Sequence, residues 1–252
     1  MRITVASYNI HKAVGLDRKR DPERILAILR EVDADVIALQ ECDRRFGDRP
    51  SVIPRALLDD SPWCPVPLGI RAGSMGWHGN AILVRKGIEV VDCSPVPLPM
   101  LEPRGAVCAD LAIVGKPLRI VGMHLDISGL RRHHQVRSVV GHATRTPSPA
   151  VLMGDLNDWS RNGRALREFG EGWSMVRMGD SFPARRPVAP LDRIVVVAVQ
   201  VEHLAGRVVA ALHRHDVGLP RADAIGIGLD LGQAGGREQG GDLRVSPDFV
   251  QS

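Results

Sequence analysis

The segment Ala150-Val151-Leu152-Met153-Gly154-Asp155-Leu156-Asn157-Asp158 opens with four apolar residues and closes on alternating acids and amides. The apolar half reads as a short buried strand. Glycine followed by alternating Asp and Asn is a costly way to leave such a strand unless those side chains have a task, although an Asx-turn would also use them. The same shape recurs along the chain. Ile3–Ile10 is a strand candidate containing Ser7-Tyr8-Asn9-Ile10 and running into His11. Asp35–Gln40 is nearly continuous in Val, Ile, Ala and Leu and ends in Gln40-Glu41. Pro117–Leu125 carries Met123-His124-Leu125 into Asp126, and Leu191-Asp192-Arg193-Ile194 sets an acid at the start of a later strand. Singly, each has a plain reading. Asn9 fits a turn, Gln40-Glu41 fits a solvated loop before Cys42-Asp43, and His124 fits a core histidine with its hydrogen bonds made. Their recurrence at strand ends, where open α/β sheets bind ligands, favours one cleft that gathers them.

Between these ends strands alternate with helices, without an internal repeat. Asp21-Pro22-Glu23 marks a helix start, with an N-cap acid and proline at the first helical position. Ile25, Ile28, Leu29 and Val32 then share one helical face. Residues 51–58 predict a short helix. Gly79–Val84, Ile88–Pro95, Gly105–Val114 and Pro117–Leu125 read as successive strands separated by Lys-Gly and Gly-Lys-Pro turns. A helix is expected over 130–143 and a short one around Ala165, Leu166 and Phe169. The Pro- and Arg-rich stretch 183–190 reads as loop, and strands return at Leu191–Val201 and Val208–Leu212. Alternation of Ile225, Ile227, Leu229 and Leu231 with Gly and Asp predicts a final strand. Residues 233–252 read as a disordered tail. This order predicts one α/β domain over residues 1–232, built of packed sheets flanked by helices.

A chain of 252 residues with 44% hydrophobic and 25% charged residues suits a single globular domain. That composition excludes a disordered, collagen-like or disulfide-scaffold protein. No apolar run approaches the ~20 residues that cross a bilayer. Met1–Ser7 lacks the basic-then-apolar form of a secretory signal, so a cytoplasmic location is expected. Cys42, Cys64, Cys93 and Cys108 show no CxxC spacing and read as reduced thiols rather than a zinc site. The net charge is +4, and with lysine only at 12, 19, 86 and 116 the positive charge is nearly all arginine. Arginine suits bidentate phosphate contact, but so small a net charge does not identify a nucleic-acid binder.

Carboxylates and amide oxygens are hard ligands that suit Mg²⁺ or Mn²⁺. A histidine and an asparagine beside such an ion can stabilise charge on a phosphorane-like transition state, and an Asp can orient or deprotonate the attacking water. The residue types therefore point to metal-assisted hydrolysis of a phosphate ester. Seven segments in this order resemble the endonuclease/exonuclease/phosphatase superfamily. They are Ser-Tyr-Asn-Ile-His at 7–11, Leu-Gln-Glu at 39–41, Gly-Asn-Ala-Ile-Leu at 79–83, Glu-Pro-Arg-Gly at 102–105, His-Leu at 124–125, Gly-Asp-Leu-Asn at 154–157 and Leu-Asp-Arg-Ile at 191–194. The resemblance covers roughly residues 1–194. It implies a DNase I-like four-layer α/β/β/α sandwich, with two mixed β-sheets packed face to face. It also implies that Glu41 is the principal Mg²⁺ ligand with Asn9 close to the metal, Mn²⁺ being the alternative ion. Asp155 would orient or activate water. Asn157 and His124 would hold the scissile phosphate, and Asn80 would support that site. Asp192 would orient a histidine further along the chain. Arg104 is expected at the phosphate by its charge and neighbourhood. Cys42 adjoins Glu41 but points away on an extended chain, and is read as structural.

The departure comes after 194. The family normally closes with Ser-Asp-His-x-Pro before its last strand, and here His213-Arg214-His215-Asp216-Val217-Gly218-Leu219-Pro220 stands in that place. His215, or else His213, is the candidate partner of Asp192; the alternative is a site without its histidine. The expected activity is hydrolysis of a phosphodiester, a nuclease being one form of it. The alternatives are a phosphomonoesterase, a phospholipid-type phosphodiesterase, or a catalytically impaired member that binds phosphate or nucleic acid. Trp77-His78, just before Gly79-Asn80, could border the site. Arg131-Arg132-His133-His134 could contact a phosphate backbone or form a solvated helix face. The expected partner is a phosphate-ester substrate, with nucleic acid among the candidates, bound by a monomer.

Overall fold

Branched and aliphatic residues occupy both faces of the central strands, as strands covered on both sides require. The computed structural model describes residues 2–45, 47–99, 104–176, 179–183, 186, 188–197 and 224–230. In chain order the strands are β1 (Arg2–Asn9), β2 (Val36–Gln40), β3 (Trp63–Pro65), β4 (Ala81–Arg85), β5 (Glu89–Val96), β6 (Gly105–Ile113), β7 (Lys116–His124), β8 (Ala150–Asp155), β9 (Trp173–Met175), β10 (Asp192–Val197) and β11 (Ala224–Asp230). The helices are α1 (Pro22–Val32), α2 (Arg55–Asp59) and α3 (Gly129–Ala143). One sheet has five strands in the order β11-β1-β2-β4-β3, and the other six in the order β5-β6-β7-β8-β10-β9. Each is mixed: β1 and β2 run parallel, as do β7 and β8, and the remaining neighbours are antiparallel.

Three apolar layers hold these pieces together. Between the sheets lie Ile3, Val5, Val36, Ala38, Ile82, Val107, Ile120, Val151, Met153 and Ile194. The outer face of the first sheet packs Ala6, Tyr8, Ile37 and Leu39 against Ile25, Leu26, Ile28 and Leu29 of α1. The outer face of the second packs Cys108, Val121, Met123 and Leu152 against Val136, Val139 and Ala143 of α3. The result is the α/β/β/α sandwich that the motifs implied. Helix α1 begins as the sequence requires: the Asp21 carboxylate accepts from the Arg24 amide at 3.0 Å, and Pro22 occupies the first turn.

The differences have local causes. The helix expected over 51–58 starts only at Arg55, because Pro54 precedes it in an extended conformation and Ser51–Ile53 pack as loop. The turn around Ala165 is a 3₁₀ helix, Arg164–Phe169. Strands β3 and β9 have three residues each, too few to show alternation in sequence. The final strand is present and pairs antiparallel with β1, Tyr8 opposite Ala224 and Arg2 opposite Asp230. The expected strand at Val208–Leu212, the histidines His213 and His215, and the tail 233–252 lie outside the described residues.

The two sheets approach closely at Gly122. A methyl group there would lie 3.0 Å from the Ala38 Cβ and 3.3 Å from the Ile82 Cγ1. Gly122→Val is therefore expected to overpack the middle layer and cost about 1–3 kcal/mol, read as a lower urea midpoint. An unchanged midpoint would show that the sheets have room to spare.

Candidate functional site

Alternation along a strand sends every second side chain between the sheets. On β1 that series runs Ile3, Val5, Ser7, Asn9; on β2, Val36, Ala38, Gln40; on β7, Leu118, Ile120, Gly122, His124; and on β8, Val151, Met153, Asp155. On β10, read backwards, it runs Val196, Ile194, Asp192. Each series is apolar in the middle and polar at the same mouth of the sandwich. Register fixes the neighbours: His124 lies opposite Asp155, Asp155 opposite Asp192, and Gly105 opposite His124 on the other side. Arg104 thereby enters beside His124. In the first sheet Asn9 lies opposite Gln40, Glu41 follows directly after β2, and Asn80 stands just before β4.

Asp155 is the hub of the mouth. Asn9 Nδ2 donates to Asp155 Oδ2 at 3.2 Å across the gap between sheets, and the Asn157 amide donates to Asp155 Oδ1 at 2.8 Å. His124 Nε2 lies 3.6 Å from Asp155 Oδ2 and also contacts Arg104 Nη1. Arg104 Nη1 and Asn157 Nδ2 both donate to the Leu125 carbonyl, at 3.2 and 2.9 Å. Facing this group, Lys12 Nζ contacts Glu41 Oε2, and the Lys12 amide donates to the Glu41 carbonyl at 3.1 Å. Glu41, His124, Arg104, Lys12 and His78 line one open cleft. Several non-glycine residues around it have left-handed backbones: Lys12 (φ 57°), Glu41 (φ 54°), His78 (φ 50°) and Asn157 (φ 51°). Such conformations cost roughly 1–2 kcal/mol each, and they gather where side chains must be aimed rather than packed.

The charges at the mouth are set by burial and by neighbours. Burial would raise the Glu41 pKa, but the contact and charge of Lys12, with help from His124 and His11, outweigh it and hold the carboxyl below its ordinary value. Burial pulls His124 down to about 4; Asp155 opposes that shift and Arg104 adds to it. The imidazole is thus neutral at neutral pH. Burial also pushes the Cys42 thiol up, and Cys42 is fully buried against the α1 side, in keeping with a structural residue.

The donor set fits a hard divalent cation. Glu41 is ionised and already draws one cation, Lys12, to its carboxylate. The buried Asn80 Oδ1 makes no hydrogen bond. Among the described residues no three His, Cys, Asp or Glu side chains form a closed cage. Mg²⁺ does not need one, since it binds through one or two carboxylates, water and substrate phosphate.

The structure thus brings Asn9, Arg104, His124, Asp155, Asn157 and Asp192 to one mouth with Glu41 and Asn80, while His215 lies outside the described residues. Of the four residues Arg131–His134, read as either a phosphate contact or a solvated helix face, Arg132 turns inward and His133 is engaged by a neighbouring acid. Arg132 is buried and donates to the carbonyls of Asp126, Ile127 and Asn157 at 3.2, 3.1 and 2.8 Å, and His133 pairs with Glu168 at 2.7 Å. Gln135 of the same helix accepts from the Asp126 amide at 2.8 Å. The sequence reading missed that Arg132 and Gln135 knit the loops after β7 and β8. Their i,i+3 spacing toward α3's apolar face was the available signal. Lys12 was also missed, although it directly follows the Asn-Ile-His motif.

A profile of the endonuclease/exonuclease/phosphatase family matches residues 6–221. The chain belongs to that family. The match continues past Ile194, where the recognisable motifs stop. The chain is 26% identical over 211 residues to the uncharacterised protein YbhP of Escherichia coli, covering 76% of this chain and 83% of YbhP. Among solved structures it resembles a humanised D. rerio TDP2 (TM-score 0.69, 18% identity, 91% of this chain and 99% of that one). It also resembles D. rerio TDP2 complexed with a single-strand DNA product (TM-score 0.64, 18% identity, 90% and 98%). At that identity the likeness establishes the fold, which is the one described above. No helix among the described residues is long and apolar enough to cross a membrane.

The neutral, buried state of His124 carries a pH signature. Its folded pKa of about 4 lies below the ordinary 6.5, so the fold favours the unprotonated ring. That contribution is complete above about pH 6.5 and drains away as pH falls toward 4. Relative to His124→Gln, the wild-type protein is expected to lose about 3 kcal/mol of stability between pH 7 and pH 4. Parallel urea midpoints for the two proteins across that range would contradict a buried neutral imidazole.

Proposed function

We propose that this protein is a divalent-cation-assisted phosphodiesterase. The observation that carries the proposal is the single row His124–Asp155–Asp192, tied across the sheets by Asn9 and faced by the ionised Glu41. In this reading Glu41 holds Mg²⁺ or Mn²⁺, with Asn9 beside it. When bound, the ion supplies Lewis-acid neutralisation of charge on the phosphate. Asp155, whose carboxylate is aimed by Asn9 and by the Asn157 amide, orients the attacking water and takes its proton. Arg104 brings the fixed positive charge that the neutral His124 does not, and both stand ready to hold phosphate oxygens. Asn157, steadied by the Leu125 carbonyl, and Asn80, with its unmatched Oδ1, complete the polar wall. In this reading Asp192 orients a histidine, and His215 is the residue proposed for that part.

A diester is favoured over a monoester by the arginines around the cleft, which suit an extended anionic chain, and by the DNA product held by the TDP2 relative. Nucleic acid is thus the leading substrate, and a nuclease the leading form of the activity. The test is hydrolysis of bis-p-nitrophenyl phosphate and of plasmid DNA with Mg²⁺, with Mn²⁺ and with EDTA. Turnover is expected to vanish in EDTA and to return with metal. Asp155→Asn is expected to lower kcat by roughly 10²–10⁴-fold, the range of a positioned general base. Activity indifferent to EDTA, or untouched by Asp155→Asn, would overturn the proposal. His215→Ala beside His213→Ala then shows which histidine serves Asp192.

A further inference from the structure

Next to the Glu41 cleft a second, smaller hollow opens, bordered by Arg49, Arg71, Ser74, Trp77 and His78. Asp43, Arg49 and His78 line both spaces, so the two adjoin. Arg49 Nη1 lies 2.8 Å from His78 Nδ1. A guanidinium only donates, so the imidazole accepts and is neutral. Burial, then the charges of Arg49 and Arg71, hold His78 below its ordinary pKa.

The charge around the two adjoining hollows is lopsided. Lys12, Arg44, Arg45, Arg49, Arg71 and Arg104 stand there against the carboxylates of Glu41 and Asp43. Glu41 is matched by Lys12. Asp43 is engaged as a brace between loops, accepting from Ser74 Oγ at 2.6 Å and from the Met75 amide at 3.2 Å. Like charges gathered beside a partly buried imidazole repel one another, and an anion set among them relieves that repulsion. Planar guanidinium forks match phosphate oxygens, and Arg71 stands exposed at the mouth of the hollow, open to such a group.

We propose that this hollow is a subsite for a second phosphate of the substrate, adjacent to the scissile one, with Arg49 and Arg71 as its donors. The proposal rests on the phosphodiesterase reading and narrows it. The favoured substrate is a phosphodiester that carries a further phosphate, as a nucleic-acid strand does, rather than a diester flanked by uncharged groups. Trp77, edge-on to His78 with ring centroids 4.3 Å apart, closes the side of the hollow.

The test compares dithymidylate bearing a 5′- or 3′-terminal phosphate with the same dinucleotide lacking it. Two readouts are taken on the full-length protein: kcat/KM with Mg²⁺, and Kd by calorimetry in EDTA. One terminal phosphate is expected to improve both by about ten-fold, the worth of one or two charge-assisted hydrogen bonds. Arg71→Gln, at an exposed position where folding is not at stake, is expected to bring that preference close to one, and Arg49→Gln to do the same. A binding preference in EDTA without any turnover would sink the hydrolase reading while leaving the subsite standing. Equal binding and turnover of all the dinucleotides would overturn the subsite, as would a preference that survives both variants.

Discussion

The structure depends on one constraint, the two-residue period of strands that face each other across a shared layer. Between the sheets that layer is filled by Ile3, Val5, Val36, Ala38, Ile120, Val151, Met153 and Ile194, which bring the two sheets together. The same parity, carried one step beyond the apolar run, delivers Asn9, Gln40, His124, Asp155 and Asp192 to the rim. Core and site are therefore one periodic pattern read at two depths. A one-residue slip of β8 would send Asp155 to the α3 side and a glycine to the mouth. The antiparallel strands obey the same rule from their other ends, which is why Asp192 and Asn80 sit at strand starts.

Placement alone does not make the mouth reactive; its charges are held in unequal states by packing. Glu41 is kept ionised by Lys12, and His124 is kept neutral by burial and by Arg104. Asp155 joins the halves by receiving a donor from each side, the Asn9 side chain at the end of β1 and the Asn157 amide just after β8. Arg132 and Gln135 support this arrangement from behind by pinning the loops after β7 and β8. Removing any of these would loosen a hydrogen bond at the rim without touching the middle layer.

Most of this was legible in the chain because strand periodicity and strand-end polarity are local properties. The Asn9, Glu41, His124, Asp155 and Asp192 positions could be read from the residues on either side of them, and the order of the motifs gave the architecture. What was not legible depended on partners distant in sequence. Arg132 looks like a solvated helix cation until the Asn157 carbonyl, supplied by another loop, is placed beside it. Lys12 looks like part of a turn until β2 brings Glu41 to its ammonium. The three-residue strands β3 and β9 exist only as partners of β4 and β10, and no local pattern announces them. His215 belongs to neither group, since it lies outside the described residues.

The central claim is that the polar mouth of the sandwich is a cation-and-phosphate site organised by Glu41 and Asp155. Diffraction at the manganese absorption edge, from crystals soaked in Mn²⁺ and inorganic phosphate, tests it most directly. The account predicts an anomalous peak at the Glu41 carboxylate, with a phosphate bound in the same cleft against Arg104 and His124, and loss of the peak in Glu41→Gln. A manganese peak elsewhere, or a cleft that binds neither ion while the fold is intact, would contradict it.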